Sequence, residues 1–204
     1  MSGRIGLLLA DDQALVRGAL SALLGLESDL EVVAEVGSGD AVVPAVLEHR
    51  PDVALLDVEM PGLDGISATA AVTRAAPRTR VLIVTTFGRP GYLRRALQAG
   101  ASGFVVKDTP AAQLADAVRR VHAGLRVVDP HLATDSLLAG ESPLTQRETE
   151  VLRAARDGSS VAAIAAKLFL SEGTVRNHLS AAIGKTGAAN RTEAVLTAEG
   201  NGWL

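Results

Sequence analysis

Over the first 124 residues, short apolar runs alternate with longer segments of helical period. Ile5–Ala10, Glu31–Glu35, Val53–Asp57, Val81–Thr86 and Gly103–Lys107 read as strands, rich in apolar and β-branched residues. Between them, Ala14–Leu26, Asp40–Glu48, Ile66–Ala75, Tyr92–Ala99 and Ala111–His122 carry apolar residues at helical spacing. Five β/α units in this rhythm predict an α/β fold: a five-stranded, doubly wound parallel sheet with helices on both faces. Right-handed crossovers then leave few possible strand orders.

The pattern changes after Gly124. Residues 125–142 hold no sustained period and contain Pro130 and Gly140, so a linker is placed there, with a helical turn or two at Leu132–Leu138. Thr145–Ala155, Val161–Leu168, Ser171–Ile183 and Thr192–Ala198 are then helical, with breaks at Asp157-Gly158, Phe169-Leu170 and Gly187. The expected organisation is a domain over 1–124, a linker over 125–142 and a compact, all-α, four-helix domain over 143–204, with Asn201–Leu204 loosely held.

Composition narrows the chemistry. Cys is absent, which excludes a disulfide scaffold, a thiolate metal site and a cysteine nucleophile. Aromatics make up only 2%, so the cores must be built from Ala, Val and Leu. The apolar run at Leu7-Leu8-Leu9 is far too short for a signal peptide or a membrane span, so a cytoplasmic protein without membrane insertion is expected. The net charge of −3 is unevenly spread: the last 62 residues hold seven basic and six acidic side chains, against twelve and fourteen in the first 124. That permits nucleic-acid binding at the C-terminal end without arguing for it.

The strongest chemical signal is Val53-Ala54-Leu55-Leu56-Asp57-Val58-Glu59-Met60-Pro61-Gly62, a buried strand delivering an acid to its carboxyl end. Ligands of open parallel sheets bind at that end. Asp11 and Asp12 follow the first strand, and where strands 1 and 3 are neighbours the three acids converge. Such a cluster repels itself unless one member is protonated or a hard dication joins them. Oxygen-only ligands favour Mg2+ over zinc. Lys107 ends the fifth strand and would bring an ammonium; Thr85, near the end of the fourth, would bring a hydroxyl. A metal, an ammonium, a hydroxyl and a reactive carboxylate together make a phosphoryl-transfer site, with Asp57 as nucleophile. Acids often do no more than solvate loop ends, but here five residues fall on four strand ends.

Residues 4–124 resemble the receiver domain of two-component response regulators. The resemblance runs through Asp11-Asp12, Leu56-Asp57-Val58-Glu59-Met60-Pro61-Gly62-Leu63-Asp64-Gly65, Thr85 and Gly100-Ala101-Ser102-Gly103-Phe104-Val105-Val106-Lys107. It implies a flavodoxin-like sheet of order 2-1-3-4-5 and a phosphoryl group received by Asp57 from a phosphohistidine on a sensor histidine kinase. It also implies Mg2+ held by Asp12 and Asp57, with Asp11 assisting and the Glu59 backbone carbonyl as a further ligand. Thr85 and Phe104 match the switch pair, in which the hydroxyl turns to the phosphate and the ring moves inward. Two features depart from the pattern: Asp108 stands where a proline usually follows the lysine, and Phe87–Tyr92 carries a basic residue where many relatives carry acids. That loop is similar to the one in DesR-like regulators of membrane-lipid desaturation.

Val161–Leu168, a break and Ser171–Ile183 read as a helix-turn-helix. Ser171 suits an N-cap and Glu172 the first turn. On a helical wheel Val175, Leu179, Ala182 and Ile183 share the buried side, while Gly173, Asn177, Ser180, Ala181 and Gly184 lie opposite. A face so poor in charge suits a helix pressed into a major groove, although an ordinary surface helix is the plainer alternative. Residues 143–198 resemble the LuxR-type helix-turn-helix of NarL/FixJ regulators through Leu144–Leu152, Ile164-Ala165, Leu170–Leu179 and Asn190–Ala194. The resemblance implies double-stranded DNA as partner, with Arg176, Asn177 and Ser180 facing bases, Thr174 and Lys185 near phosphates, and Thr192–Ala198 as a dimerisation element. Ser180 replaces a frequent lysine and Thr186 a usual leucine.

Other motifs carry little. Gly184-Lys185-Thr186 mimics the end of a P-loop but closes a helix instead of opening one. Asn190-Arg191-Thr192 spells a glycosylation site in a chain with no secretory signal. His49, His122, His131 and His178 share no metal-binding spacing. The expectation is a transcriptional response regulator, a phosphoryl acceptor and not an enzyme, that forms a homodimer on inverted half-sites when Asp57 is phosphorylated. Its rivals are a regulator that binds DNA without phosphorylation and a phosphohydrolase with an aspartyl-phosphate intermediate. The latter would need a substrate cap that nothing in the chain supplies.

Overall fold

The structure is a computed structural model that describes residues 3–86, 90–129, 132–134 and 142–204. The chain divides into two compact units, the first of residues 1–88 and 92–134 and the second of residues 89–91 and 135–204.

In the first unit the strands are β1 (Ile5–Ala10), β2 (Leu30–Val36), β3 (Val53–Leu56), β4 (Arg80–Thr85) and β5 (Gly103–Val106). They pair in parallel in the order 2-1-3-4-5, as expected. A sixth strand, β6 (Val127–Val128), lies parallel beside β5 and lengthens the sheet into the segment read as linker. The helices are α1 (Ala14–Leu24), α2 (Val42–His49), α3 (Gly65–Ala75), α4 (Pro90–Gln98) and α5 (Ala111–His122). The pleat divides each strand between two cores. Leu8, Ala10, Ala54, Leu56, Val81 and Ile83 pack under α2, α3 and α4 on one face. Leu7, Leu9, Val53, Leu55, Leu82 and Val84 pack under α1 and α5 on the other. Burial on both faces is why these strands read as continuous apolar runs instead of alternating ones.

The loop that follows β3 is fixed from both sides. Asp64 caps α3, accepting from the amides of Ile66 and Ser67. Gly62 takes a φ of +77°, a left-handed turn suited to glycine. A short 3₁₀ turn at Gly39–Ala41 presses so close that a Cβ on Gly39 would stand 1.6 Å from the Leu63 carbonyl oxygen. The expected helix Asp40–Glu48 therefore begins as this tighter turn. The expected helical turn at Leu132–Leu138 lies outside the described residues from position 135 on, as do Phe87-Gly88-Arg89 of the basic loop and His131.

The second unit holds α6 (Gln146–Ala154), α7 (Val161–Leu168), α8 (Glu172–Thr186) and α9 (Arg191–Gly200). Each starts on a side-chain cap: Thr145, Ser160, Ser171 and Asn190. Val151, Leu152, Ile164, Val175, Leu179, Ala194 and Val195 form its core. The C-terminal residues are not loose. The Trp203 amide donates to the Ala198 carbonyl at 2.7 Å, Leu204 is buried, and both pack on that core.

Candidate functional site

Strands β1 and β3 are hydrogen-bonded neighbours, and the Asp57 amide donates to the Ala10 carbonyl at 2.9 Å. This pairing carries Asp11, Asp12 and Asp57 to one rim, where each offers a carboxylate oxygen within 4.8 Å of the others. Asp11 and Asp57 are buried, Asp57 being only 4% exposed, while Asp12 faces solvent. Lys107 follows β5 and reaches across, its ammonium 2.8 Å from Asp11 Oδ2 and 2.8 Å from Asp57 Oδ2. The remaining Asp57 oxygen accepts from the Val58 amide at 2.7 Å, and Asp11 Oδ1 accepts from the Gln13 amide at 2.9 Å. Asp12, Gln13, Asp57, Glu59, Thr85 and Thr86 line a small open cavity above the rim.

Burial, together with one cation shared by two acids, sets the direction of both pKa shifts. Burial raises the pKa of Asp57, Lys107 pulls it back only in part, and the Asp11 charge adds to the rise. Burial works against the charge on Lys107, but hydrogen bonds from Asp11 and Asp57 outweigh it and hold its pKa above the ordinary value. The ammonium sees two anions; each carboxylate sees a fraction of one cation. Three hard oxygen donors this close suit a divalent metal of the magnesium type, and one dication added to Lys107 would balance the three carboxylates.

Thr85 is buried at the end of β4, against the same cavity. Phe104, for which the resemblance implies an inward swing, is already fully enclosed in the core beneath α2–α4. The Lys107–Asp108 peptide is trans, and no cis peptide occurs among the described residues. Sequence reasoning missed Arg17, whose guanidinium on α1 donates to the Asp11 backbone carbonyl and pairs with Glu35 at 3.6 Å. It thereby ties the β1–α1 loop to β2. A basic residue six positions after an acid gives no sequence signal of that kind.

In the second unit α8 turns Val175, Leu179 and Ala182 inward and leaves Gly173, Asn177, Ser180, Ala181 and Gly184 exposed. Arg176 is exposed and pairs with Glu172 at 2.6 Å, one turn back. Thr174 shares a hydrogen bond with the cap residue Ser171. Lys185 places its ammonium 2.8 Å from Oε2 of Glu148, a buried acid on α6. Burial works against the ionised Glu148, yet the hydrogen bonds from Lys185 and Thr145 prevail and lower its pKa. The same oxygen accepts from the Thr145 amide, so Glu148 closes the α6 capping box and clips α6 to the end of α8.

Residues 7–119 match the response regulator receiver domain, and residues 142–198 match the luxR family of bacterial regulatory proteins. The chain belongs to the luxR-type response regulators. The regulator is 43% identical over 200 residues to the transcriptional regulatory protein YvfU of Bacillus subtilis, covering 98% of this chain and 100% of that one. It is 41% identical to the Bacillus subtilis transcriptional regulatory protein DesR, over 98% of this chain and 99% of that one. Among solved structures it is similar to the response regulator ChrA of a heme-sensing two-component system, at a TM-score of 0.60 and 36% identity over 97% of both chains. The two Bacillus subtilis relatives are transcriptional regulatory proteins, and the family is one of transcriptional regulators. The luxR-type response regulator is thus a DNA-binding transcriptional regulator built from a receiver and a helix-turn-helix, in a family where phosphorylation and dimerisation are typical. Among its described residues no helix is long and apolar enough to cross a membrane.

Proposed function

We propose that this regulator is cytoplasmic, that Asp57 is its phosphoryl acceptor and that its donor is a phosphohistidine on a sensor histidine kinase. The observation that carries the reading is the Lys107 ammonium held 2.8 Å from a buried Asp57 oxygen at the mouth of a solvent-open cavity. An Asp57 oxygen forms the new P–O bond as the P–N bond to the donor histidine breaks, the electron pair leaving on the imidazole nitrogen. Asp11, Asp12, Asp57 and the Glu59 backbone carbonyl would hold Mg2+, which supplies charge neutralisation at the phosphoryl oxygens. Lys107 would exchange its contact with Asp57 for one with a phosphoryl oxygen and keep the one with Asp11. Thr85, at the cavity wall, would donate its hydroxyl to the phosphoryl group, with Phe104 packing behind it as the switch partner.

Phosphorylation replaces the single charge of the Asp57 carboxylate with the roughly 1.5 to 2 negative charges of an acyl phosphate, at a rim that still holds Asp11 and Asp12. Relief of that charge through Thr85 and Lys107 is the local event; dimerisation is its consequence, placing two α8 helices on inverted half-sites about one DNA turn apart. Arg176, Asn177 and Ser180 would read bases, with Thr174 and Lys185 beside phosphates. Residues 1–124 and 143–204 would act as receiver and DNA-binding domain, joined by 125–142.

The test is incubation of wild type and Asp57→Asn with acetyl phosphate and Mg2+. Wild type is expected to gain one phosphate by mass, shift toward dimer and bind duplex DNA more tightly; Asp57→Asn is expected to do none of these. Equal mass and equal DNA binding for the two proteins would refute the switch.

A further inference from the structure

The turn between α7 and α8 presents a residue that neither the core nor the recognition face explains. Phe169 is 95% exposed, the highest value among the large apolar residues described as exposed. It is also one of only two described non-glycine residues at positive φ, at +55°. It occupies the left-handed cap of α7, where glycine is the usual solution; the cap of α8 is such a glycine, Gly187 at +67°. A bulky side chain there is strained, and an exposed ring returns nothing through burial. A chain with five aromatic residues in 204 has placed one of them in the least favourable local setting.

Its place in the fold suggests what the ring meets. Phe169 lies two residues before Ser171, the N-cap of the helix whose light face carries Asn177 and Ser180. In a helix-turn-helix the N-terminal end of the second helix enters the major groove. A side chain projecting from the turn just before it would stand at the groove's edge in that arrangement. The apolar feature of the major groove is the thymine methyl, which phenylalanine can cover.

We infer that Phe169 is a specificity-determining residue that packs on a thymine methyl next to the bases read by α8. The inference rests on DNA binding through α8. It adds apolar readout to a face otherwise limited to small and hydrogen-bonding groups. It also explains why a strained conformation is retained: the ring is aimed outward by a backbone that glycine or asparagine would adopt with less strain.

The experiment uses the full chain and a duplex that the phosphorylated wild-type protein itself selects from a randomised library. Phe169→Gly and Phe169→Asn are compared with wild type on that duplex, and on duplexes with deoxyuridine in place of each thymine in turn. Loss of one covered methyl is worth about fourfold in affinity. Wild type is expected to bind more weakly, by about that factor, when one particular thymine near the α8-contacted bases is replaced. Both variants should bind the unmodified duplex more weakly by at least that factor and be indifferent to the replacement, while melting no lower than wild type because strain has been removed. Wild-type affinity in the variants, or the same deoxyuridine sensitivity in all three proteins, would overturn the inference. So would unchanged DNA binding with loss of dimerisation, which would assign the ring to a protein contact. Failure of the wild type to select any duplex would instead strike at DNA reading through α8.

Discussion

Replacing Lys107 with methionine removes a charge and keeps most of the side-chain volume. It leaves Asp11 and Asp57, both buried, facing each other without the ammonium that stands 2.8 Å from each. Removing one partner of a buried ion pair costs about 3–5 kcal/mol. The protein has a cheaper way out, which is to protonate Asp57. Holding a carboxyl of ordinary pKa neutral at about pH 7 costs about 4 kcal/mol, at roughly 1.4 kcal/mol per pH unit. Asp57 starts from a pKa already raised, chiefly by burial, so the actual ceiling is lower. We expect Lys107→Met to lose about 3 kcal/mol at about pH 7 and about half that or less at about pH 5.

The sign follows from linkage. A carboxyl with a raised folded pKa contributes stability that is present at low pH and lost as pH rises through that pKa, and the variant raises it further. In wild type the raised pKa of Lys107 keeps its own contribution intact until alkaline pH, so the acid-side change comes from Asp57 in both proteins and is larger in the variant. Urea unfolding in EDTA at the two pH values measures the effect, and added Mg2+ should restore much of the loss by taking over the cation's place. A variant with wild-type midpoints at both pH values, or one that ignores Mg2+, would refute the shared-cation account of this site.

Glu148→Ala should destabilise the C-terminal domain by about 2–3 kcal/mol, since it opens a capping box and leaves Lys185 without its acid; circular dichroism melts would read this. Because the Glu148 pKa is lowered, its contribution is present above the ordinary glutamate value and is lost as pH falls through the folded one, so wild type and variant should converge in acid. Gly39→Ala should cost about 1–3 kcal/mol, because a methyl 1.6 Å from the Leu63 carbonyl oxygen must move the loop that follows Asp57. Slower phosphoryl uptake from acetyl phosphate in a still-folded Gly39→Ala protein would show that the displaced loop matters to the site.

The acidic site was legible because each of its residues ends a strand, and strand ends are punctuated by composition: Leu56 to Asp57, Val106 to Lys107. Once β1 and β3 were placed side by side, convergence followed from the sheet. What stayed hidden has short or irregular causes. Strand β6 is two residues long, below the length at which periodicity can be seen, and it exists because β5 offers it an open edge. The burial of Leu204 comes from two apolar residues folding back after a helix end. The clip from Glu148 to Lys185 spans 37 positions; the capping box at Thr145–Glu148 could have been read from Thr-x-x-Glu, but its second task depends on how α8 packs. The contact of Arg17 with the Asp11 carbonyl is likewise a product of tertiary placement.

The folded-back tail gives the molecule a built-in optical reporter. Trp203 is the only tryptophan of the chain and packs against the core of α6–α9, whereas the only tyrosine, Tyr92, lies on α4 in the first unit. Indole emission excited selectively therefore reports on the packing of this tail against the α6–α9 core, with no engineered label, while circular dichroism records both units together.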